Sequence, residues 1–206
     1  DCTDDVDARF LFAVNAAYWW WLDDKIDEHI ADPSSRVAWD ALDQALDEEL
    51  RSATTHAAPE IAYLAKLYAA LAARTPIAAD LRWWLRATRD TLRGFREGED
   101  VTRTKRLVSY AEQLESSMWS TSLVQVFACA STLFRWSAGD RAPLAPTTLE
   151  RLLCLTSRLE NDHFSIDRDL AEGCSTNLGV VVAHSFAVER VPAFIAKVEM
   201  MRDMRK

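Results

Sequence analysis

Glycine and proline are scarce in this chain. Five glycines and six prolines among 206 residues leave long segments without turn punctuation. That excludes a many-stranded sandwich or barrel and points to helices. Basic residues are outnumbered, 24 Lys and Arg against 32 Asp and Glu, for a formal net charge of −8. Nucleic-acid affinity comes from clustered Lys and Arg, so this balance argues against a nucleic-acid partner. The cysteines, Cys2, Cys129, Cys154 and Cys174, include no pair at CxxC spacing. Neither a zinc site nor a redox motif is indicated, and the expectation is reduced thiols in a cytoplasmic protein. The longest apolar run, Phe10 to Leu22 interrupted by Asn15, is too short to span a membrane. The opening Asp-Cys-Thr-Asp-Asp-Val-Asp is acidic where a secretory signal is basic.

What is present is apolar residues, 49% of the chain, beside 27% charged ones. That is enough to bury a sizeable core, and residues 1–206 read as a single all-α domain of about seven helices. The first covers Asp4 to Ala31 and ends at Asp32-Pro33, because the residue before proline is pushed out of the α region. Ser34 or Ser35 caps a second helix running to Arg51. Glu60 to Arg74 is Ala- and Leu-rich, and Ile77 to Gly98 carries Trp83, Trp84 and several arginines. Thr102 to Trp136 is long, with a kink or break expected between Ser116 and Thr121. A loop at Gly139 to Pro146 leads to a helix capped by Thr147 or Thr148 and ended by Gly173. A last helix runs from Thr176, with a kink at Pro192.

Two polar clusters carry candidate chemistry. The first helix ends WWWLDDKIDEH, so Asp23, Asp24 and Asp27 share one helical edge. Like charges at this spacing repel, and a hard divalent cation such as Mg²⁺ removes that cost. A solvated acidic helix end is the plain alternative. Trp19 lies one turn below Asp23, and Trp20 one turn below Asp24. Those rings either line an apolar cavity beneath a metal or simply pack in the core. The second cluster, NDHFSIDRDLAEG, sets Asn161, Ser165 and Asp169 at i, i+4 and i+8, with Arg168 on the same face. Amide, hydroxyl and carboxylate oxygens form a hard-ligand set, and a guanidinium beside it suits a polyanion such as a diphosphate. A mixed-charge surface helix is again the alternative. His163 points away from this stripe. The arginines from Arg82 to Arg96 read as solvated and ion-paired, and Asp47-Glu48-Glu49 as a surface run.

The pairing of Asp23-Asp24-Lys25-Ile26-Asp27 with Asn161-Asp162-x-x-Ser165-x-x-Arg168-Asp169 resembles the class I terpene synthases (terpene cyclases) of the bacterial type. The first run matches their aspartate-rich DDxxD motif. The second matches their NSE triad, with Asp169 for the usual Glu, and Gly173 and Asn177 fall where the family's extended pattern places a Gly and an Asn. The resemblance implies an α-helical bundle around a central apolar cavity, here lacking some terminal helices. It implies three Mg²⁺ ions gripping the diphosphate of an isoprenyl substrate, farnesyl diphosphate foremost. By position, Asp23, Asp24 and Asp27 would serve one side, and Asn161, Ser165 and Asp169 the other. Arg168 would bond the diphosphate, while Trp19, Trp20, Trp84 and Phe127 would face the cation. Homodimers are common among such bundles.

Two departures stand out. An upstream arginine is expected shortly after a tyrosine, and the stretch Tyr110 to Ser117 places Glu115 or a neighbour there. A late Arg-Tyr pair is missing from Met200 to Lys206. Two other functions therefore stand beside the cyclase: a catalytically impaired bundle acting as a binding partner, and a prenyl-elongating diphosphate synthase. The latter calls for a second aspartate-rich motif, where this chain has Asn161 and Ser165.

Overall fold

A computed structural model of the chain describes residues 5–32, 36–51, 55–75, 78–134, 147–172 and 176–185. The elements among these residues are all helices: α1 (Val6–Ala31), α2 (Trp39–Asp47), α3 (Pro59–Arg74), α4 (Ala78–Thr104), α5 (Tyr110–Ser120), α6 (Leu123–Phe134), α7 (Thr148–Glu172) and α8 (Leu178–Ser185). The all-α expectation holds. No helix among the described residues is long and apolar enough to cross a membrane.

Local chemistry fixes several helix starts. Asp5 accepts the Ala8 N–H at 2.9 Å and opens α1, and Pro59 occupies the first turn of α3. Thr147 and Glu150 form a reciprocal capping box at α7, with Glu150 N–H donating to the threonine hydroxyl at 3.2 Å and Thr147 N–H to the glutamate at 2.6 Å. Asp32 ends α1 in extended conformation ahead of Pro33.

Other boundaries differ from the sequence reading. Helix α2 starts at Trp39 and stops at Asp47, after which Glu49 and Leu50 take left-handed φ values of 50° and 56°. Helix α4 runs through Gly98 to Thr104, because a single interior glycine costs only about 0.5–1 kcal/mol and packing outweighs it. The turn falls instead at Lys105, φ 50°. Thr102–Thr104 belong to α4, and the rest of the long segment expected over Thr102–Trp136 is α5 and α6, which part at Thr121–Ser122, next to the break expected between Ser116 and Thr121; Ser122 there has φ 56°. The expected caps Ser34 and Ser35, the Gly139–Pro146 loop, Gly173 and Pro192 lie outside the described residues.

Helix α4 is the axis of the bundle and packs on α1, α2, α5 and α6. The main core unites Trp19 and Leu22 of α1, Leu42 and Leu46 of α2, Leu64 and Leu71 of α3, Trp83, Trp84 and Leu92 of α4, and Val124 and Ala128 of α6. Each fully buried leucine contributes about 1.5–3 kcal/mol. A polar clasp runs through this core. The Asn15 amide donates to Gln125 Oε1 at 2.8 Å, and the Gln125 amide returns the bond to Asn15 Oδ1 at 2.9 Å. The Trp19 indole N–H donates to the same Gln125 oxygen. At the α4–α5 crossing, a Cβ on Gly94 would lie 2.8 Å from Trp119 Cβ, so the helices meet at a distance only glycine permits.

Candidate functional site

The burial of Trp19 and Leu22 seats α1 in the core and carries its next turn to the surface. There Asp23, Asp24 and Asp27 are exposed along one edge. Lys25, set among them, belongs to the other side of the helix. Its Nζ pairs with the buried Glu60 at 2.8 Å and lies 5.5 Å from the Trp21 ring. Glu60 also accepts the Ala38 N–H at 3.0 Å, so this contact anchors the acidic turn to α3 and to the start of α2.

A cleft of about 560 Å³ opens between α1, α4, α5 and α7. Asp23 and Asp27 line it from α1; Arg158, Asn161, Arg168 and Asp169 line it from α7. The two oxygen-bearing edges, distant in sequence, face one space. Asp24 and Ser165 are not in the wall itself. Desolvation at the cleft mouth, then Asp27, and more weakly Asp24, push the Asp23 carboxyl up to about 6, against the pull of Arg158 and Arg168. Asp23 combines surface exposure with this desolvation because it sits on a concave rim.

The α7 edge is held by a hydrogen-bond network. The Ser165 hydroxyl donates to Asp169 Oδ2 at 2.5 Å. The Asn177 amide donates to the same oxygen at 2.8 Å and to the Asp162 carbonyl at 2.9 Å. Asn177 Oδ1 accepts the Gly179 N–H at 2.8 Å, which ties the network to the first turn of α8. Asp162 is buried and faces the opposite way, accepting the Leu178 N–H at 2.7 Å; burial raises its carboxyl pKa. Arg168 reaches Asp169 Oδ1 at 3.3 Å. This places Ser165 directly behind Asp169 and explains the asparagine at position 177.

The aromatic candidates lie elsewhere. Trp19 is buried in the core, and Trp84 packs there against Tyr68, ring centroids 6.0 Å apart. Trp20 is 72% exposed, and Phe127 is half-buried against the core. None of the four lines the cleft. Its apolar wall comes instead from Ile26, Ile30 and Phe95, with Trp19 behind Phe95 at a centroid distance of 6.0 Å. The wall also carries polar groups, notably Gln113, Ser116 and Glu99. Glu99 is buried between the Trp39 indole, donating at 2.5 Å, and His29 Nε2 at 3.1 Å.

Residues missed by the sequence reading are Phe95, Glu99 and above all Arg158. Arg158 lies three positions before Asn161 and so on the same helical stripe, a periodicity visible in the sequence had the stripe been extended backwards. Glu115 lines a second cavity of about 620 Å³, with Arg106, Arg151 and Trp119, and is not in the cleft wall.

The donor set of the two edges consists of carboxylate, amide and hydroxyl oxygens, the ligands a hard divalent cation takes. The crowding that raises Asp23 is what such a cation would relieve. Among the described residues, no three His, Cys, Asp or Glu side chains converge as a ready-made metal site. Asp23, Asp27, Asn161 and Asp169 are the cleft-wall oxygen donors that could hold a metal. A family model described as "Terpene synthase family 2, C-terminal metal binding" matches residues 15–206. No curated protein matches the chain.

Proposed function

The chain belongs to the terpene synthase family, and we propose that it is a Mg²⁺-dependent terpene cyclase. It ionises a linear isoprenyl diphosphate, farnesyl diphosphate foremost, and cyclises the carbocation to a terpene hydrocarbon or alcohol. The observation that supports this reading is the convergence of Asp23 and Asp27 with Asn161, Arg168 and Asp169 on one cleft.

In this reading Asp23 and Asp27 would hold metal on the α1 side, with Asp24 beside them on the rim, and Asn161 and Asp169 would hold it on the α7 side, with Ser165 behind Asp169. Mg²⁺ bound there supplies neutralisation of the diphosphate charge and polarisation of the allylic C–O bond. Arg168 offers the diphosphate a forked pair of N–H donors. The Ser165–Asp169–Asn177 network keeps the α7 oxygens in place before substrate arrives, so little ordering remains at the moment of reaction. Ile26, Ile30 and Phe95 exclude water from the hydrocarbon, and the Phe95 face attracts positive charge. Departure of the diphosphate requires no protein nucleophile.

The test is gas-chromatographic product analysis after offering geranyl, farnesyl and geranylgeranyl diphosphates with Mg²⁺, each with and without isopentenyl diphosphate. A cyclic hydrocarbon or alcohol independent of isopentenyl diphosphate is expected. Elongated diphosphates would assign the chain to prenyl elongation instead, and Mg²⁺-dependent pyrophosphate binding without any product would make it a binding protein.

A further inference from the structure

The cleft wall carries one carboxylate that belongs to neither oxygen-bearing edge. Asp23 and Asp27 stand on α1 and Asp169 on α7, whereas Glu99 stands on α4, one turn beyond Phe95. Its side chain is only 8% exposed, and it is held against His29, the sequence neighbour of Ile30. Glu99 is therefore set among the apolar residues of the wall, with Phe95 on its own helix and Ile30 beside its partner on α1. The Trp39 indole donates to Oε2 at 2.5 Å, and His29 Nε2 lies 3.1 Å from Oε1. Trp39 is the first residue of α2, so α1, α2 and α4 together fix the carboxylate in place. A carboxylate offers about four acceptor sites, and these contacts occupy two. An amide would accept the same indole N–H without the cost of burying an acid. What a carboxylate adds is attraction for positive charge and the capacity to take a proton. The wall's Gln113, Ser116 and Thr102 have neither.

We propose that Glu99 is the proton acceptor that ends the cyclisation. The assignment rests on the cyclase reading above and deepens it, because it makes the main product a hydrocarbon and not an alcohol. A C–H bond on a carbon next to the cationic centre breaks, its electron pair becomes a new C=C bond, and the proton passes to Glu99. The positive charge of the carbocation and the negative charge of the carboxylate are lost together. The proton leaves to water once the product has departed. Because Trp39 and His29 already hold the carboxylate, it needs no reordering when the cation forms.

Two measurements on the wild-type chain, Glu99→Gln and Glu99→Asp test this. The first is the ratio of hydrocarbon to alcohol formed from farnesyl diphosphate in Mg²⁺, by gas chromatography. The wild type should give chiefly hydrocarbon. Glu99→Gln keeps an acceptor for the Trp39 indole but loses the base, and should lower the ratio by about tenfold or more as water captures the cation instead. The second is calorimetric binding, without Mg²⁺, of a tertiary amine carrying a farnesyl chain, a stable cation in place of the fleeting one. Glu99→Gln should weaken it by about tenfold or more, as loss of a charge-assisted hydrogen bond does. An unchanged product ratio or unchanged amine binding in Glu99→Gln would overturn the assignment and leave Glu99 as a tie to His29 and Trp39. So would a wild type whose main product is an alcohol. Should Glu99→Gln fail to fold, Glu99→Asp decides, since it withdraws the carboxylate by one methylene. A ratio lowered by about threefold or more supports the role, and the wild-type ratio overturns it. A wild type that forms no cyclic product overturns the cyclase reading and this role with it, whereas a working cyclase indifferent to Glu99→Gln overturns the role alone.

Discussion

Asp23 sits where desolvation and neighbouring acids work against its charge, and its pKa near 6 records that cost. Between 3.8, the ordinary value, and about 6, the folded state binds more protons than the unfolded state. Stability from this group therefore falls as pH rises through that window. Asp23→Asn should raise the thermal midpoint of the metal-free protein at pH 7 and flatten the slope between pH 4 and 6, measured by melts across that range. The same substitution should abolish the midpoint rise that Mg²⁺ and pyrophosphate give the wild type. A lower midpoint in metal-free Asp23→Asn would mean that the carboxylate is a structural partner. At this scale the oxygen-bearing residues were legible, because i, i+4 spacing places Asn161, Ser165 and Asp169 on one stripe whatever packs beside it. For Trp19 and Trp20 the sequence left two surroundings open, cavity wall or core. A turn of helix sets their height relative to Asp23 and Asp24 but not which neighbours cover them, and core packing claimed Trp19 while nothing among the described residues covers Trp20.

Helix α4 carries two glycines with opposite roles. Gly94 touches Trp119, and a Cβ there has 2.8 Å of room, whereas Gly98 has nothing within 4 Å of its would-be Cβ. Gly94→Ala should cost about 1–3 kcal/mol by forcing α4 and α5 apart. Gly98→Ala should gain about 0.5–1 kcal/mol from helix propensity. Urea unfolding of the pair checks both signs, and equal shifts would contradict the close crossing. The Asn15–Gln125 clasp fixes the register of α1 against α6. Asn15→Leu removes the acceptor at 2.9 Å from the Gln125 amide, leaving it the longer bond to Thr88 at 3.4 Å, and should cost about 1–3 kcal/mol, read as a lower urea midpoint. Proline-marked boundaries such as Asp32 were readable, because the constraint is local. The break near Thr121 was readable too, from the Ser- and Thr-bearing stretch that interrupts the good helix formers; the continuation of α4 past Gly98 was not, since it is decided by what the neighbouring helices bury.

Over the whole molecule, a net charge of −8 disfavours a free polyanion, so tight diphosphate binding must be local and cation-assisted. Mg²⁺ and pyrophosphate together should raise the thermal midpoint of the chain, and chelation of Mg²⁺ should remove the rise. The bundle class was legible from the lack of glycine and proline, and the family from two motifs in order; the cleft that joins them required the packing of α1 and α7 against α4 and α5. The central claim is that the α1 and α7 edges act on one diphosphate. The most direct test is the rate of pyrophosphate release from farnesyl diphosphate in Mg²⁺ by the wild type, Asp23→Ala and Asn161→Ala. Each single substitution is predicted to lower the rate by about a hundredfold or more, the loss expected of a group that stabilises the transition state. Release at the wild-type rate with either edge removed would contradict the account.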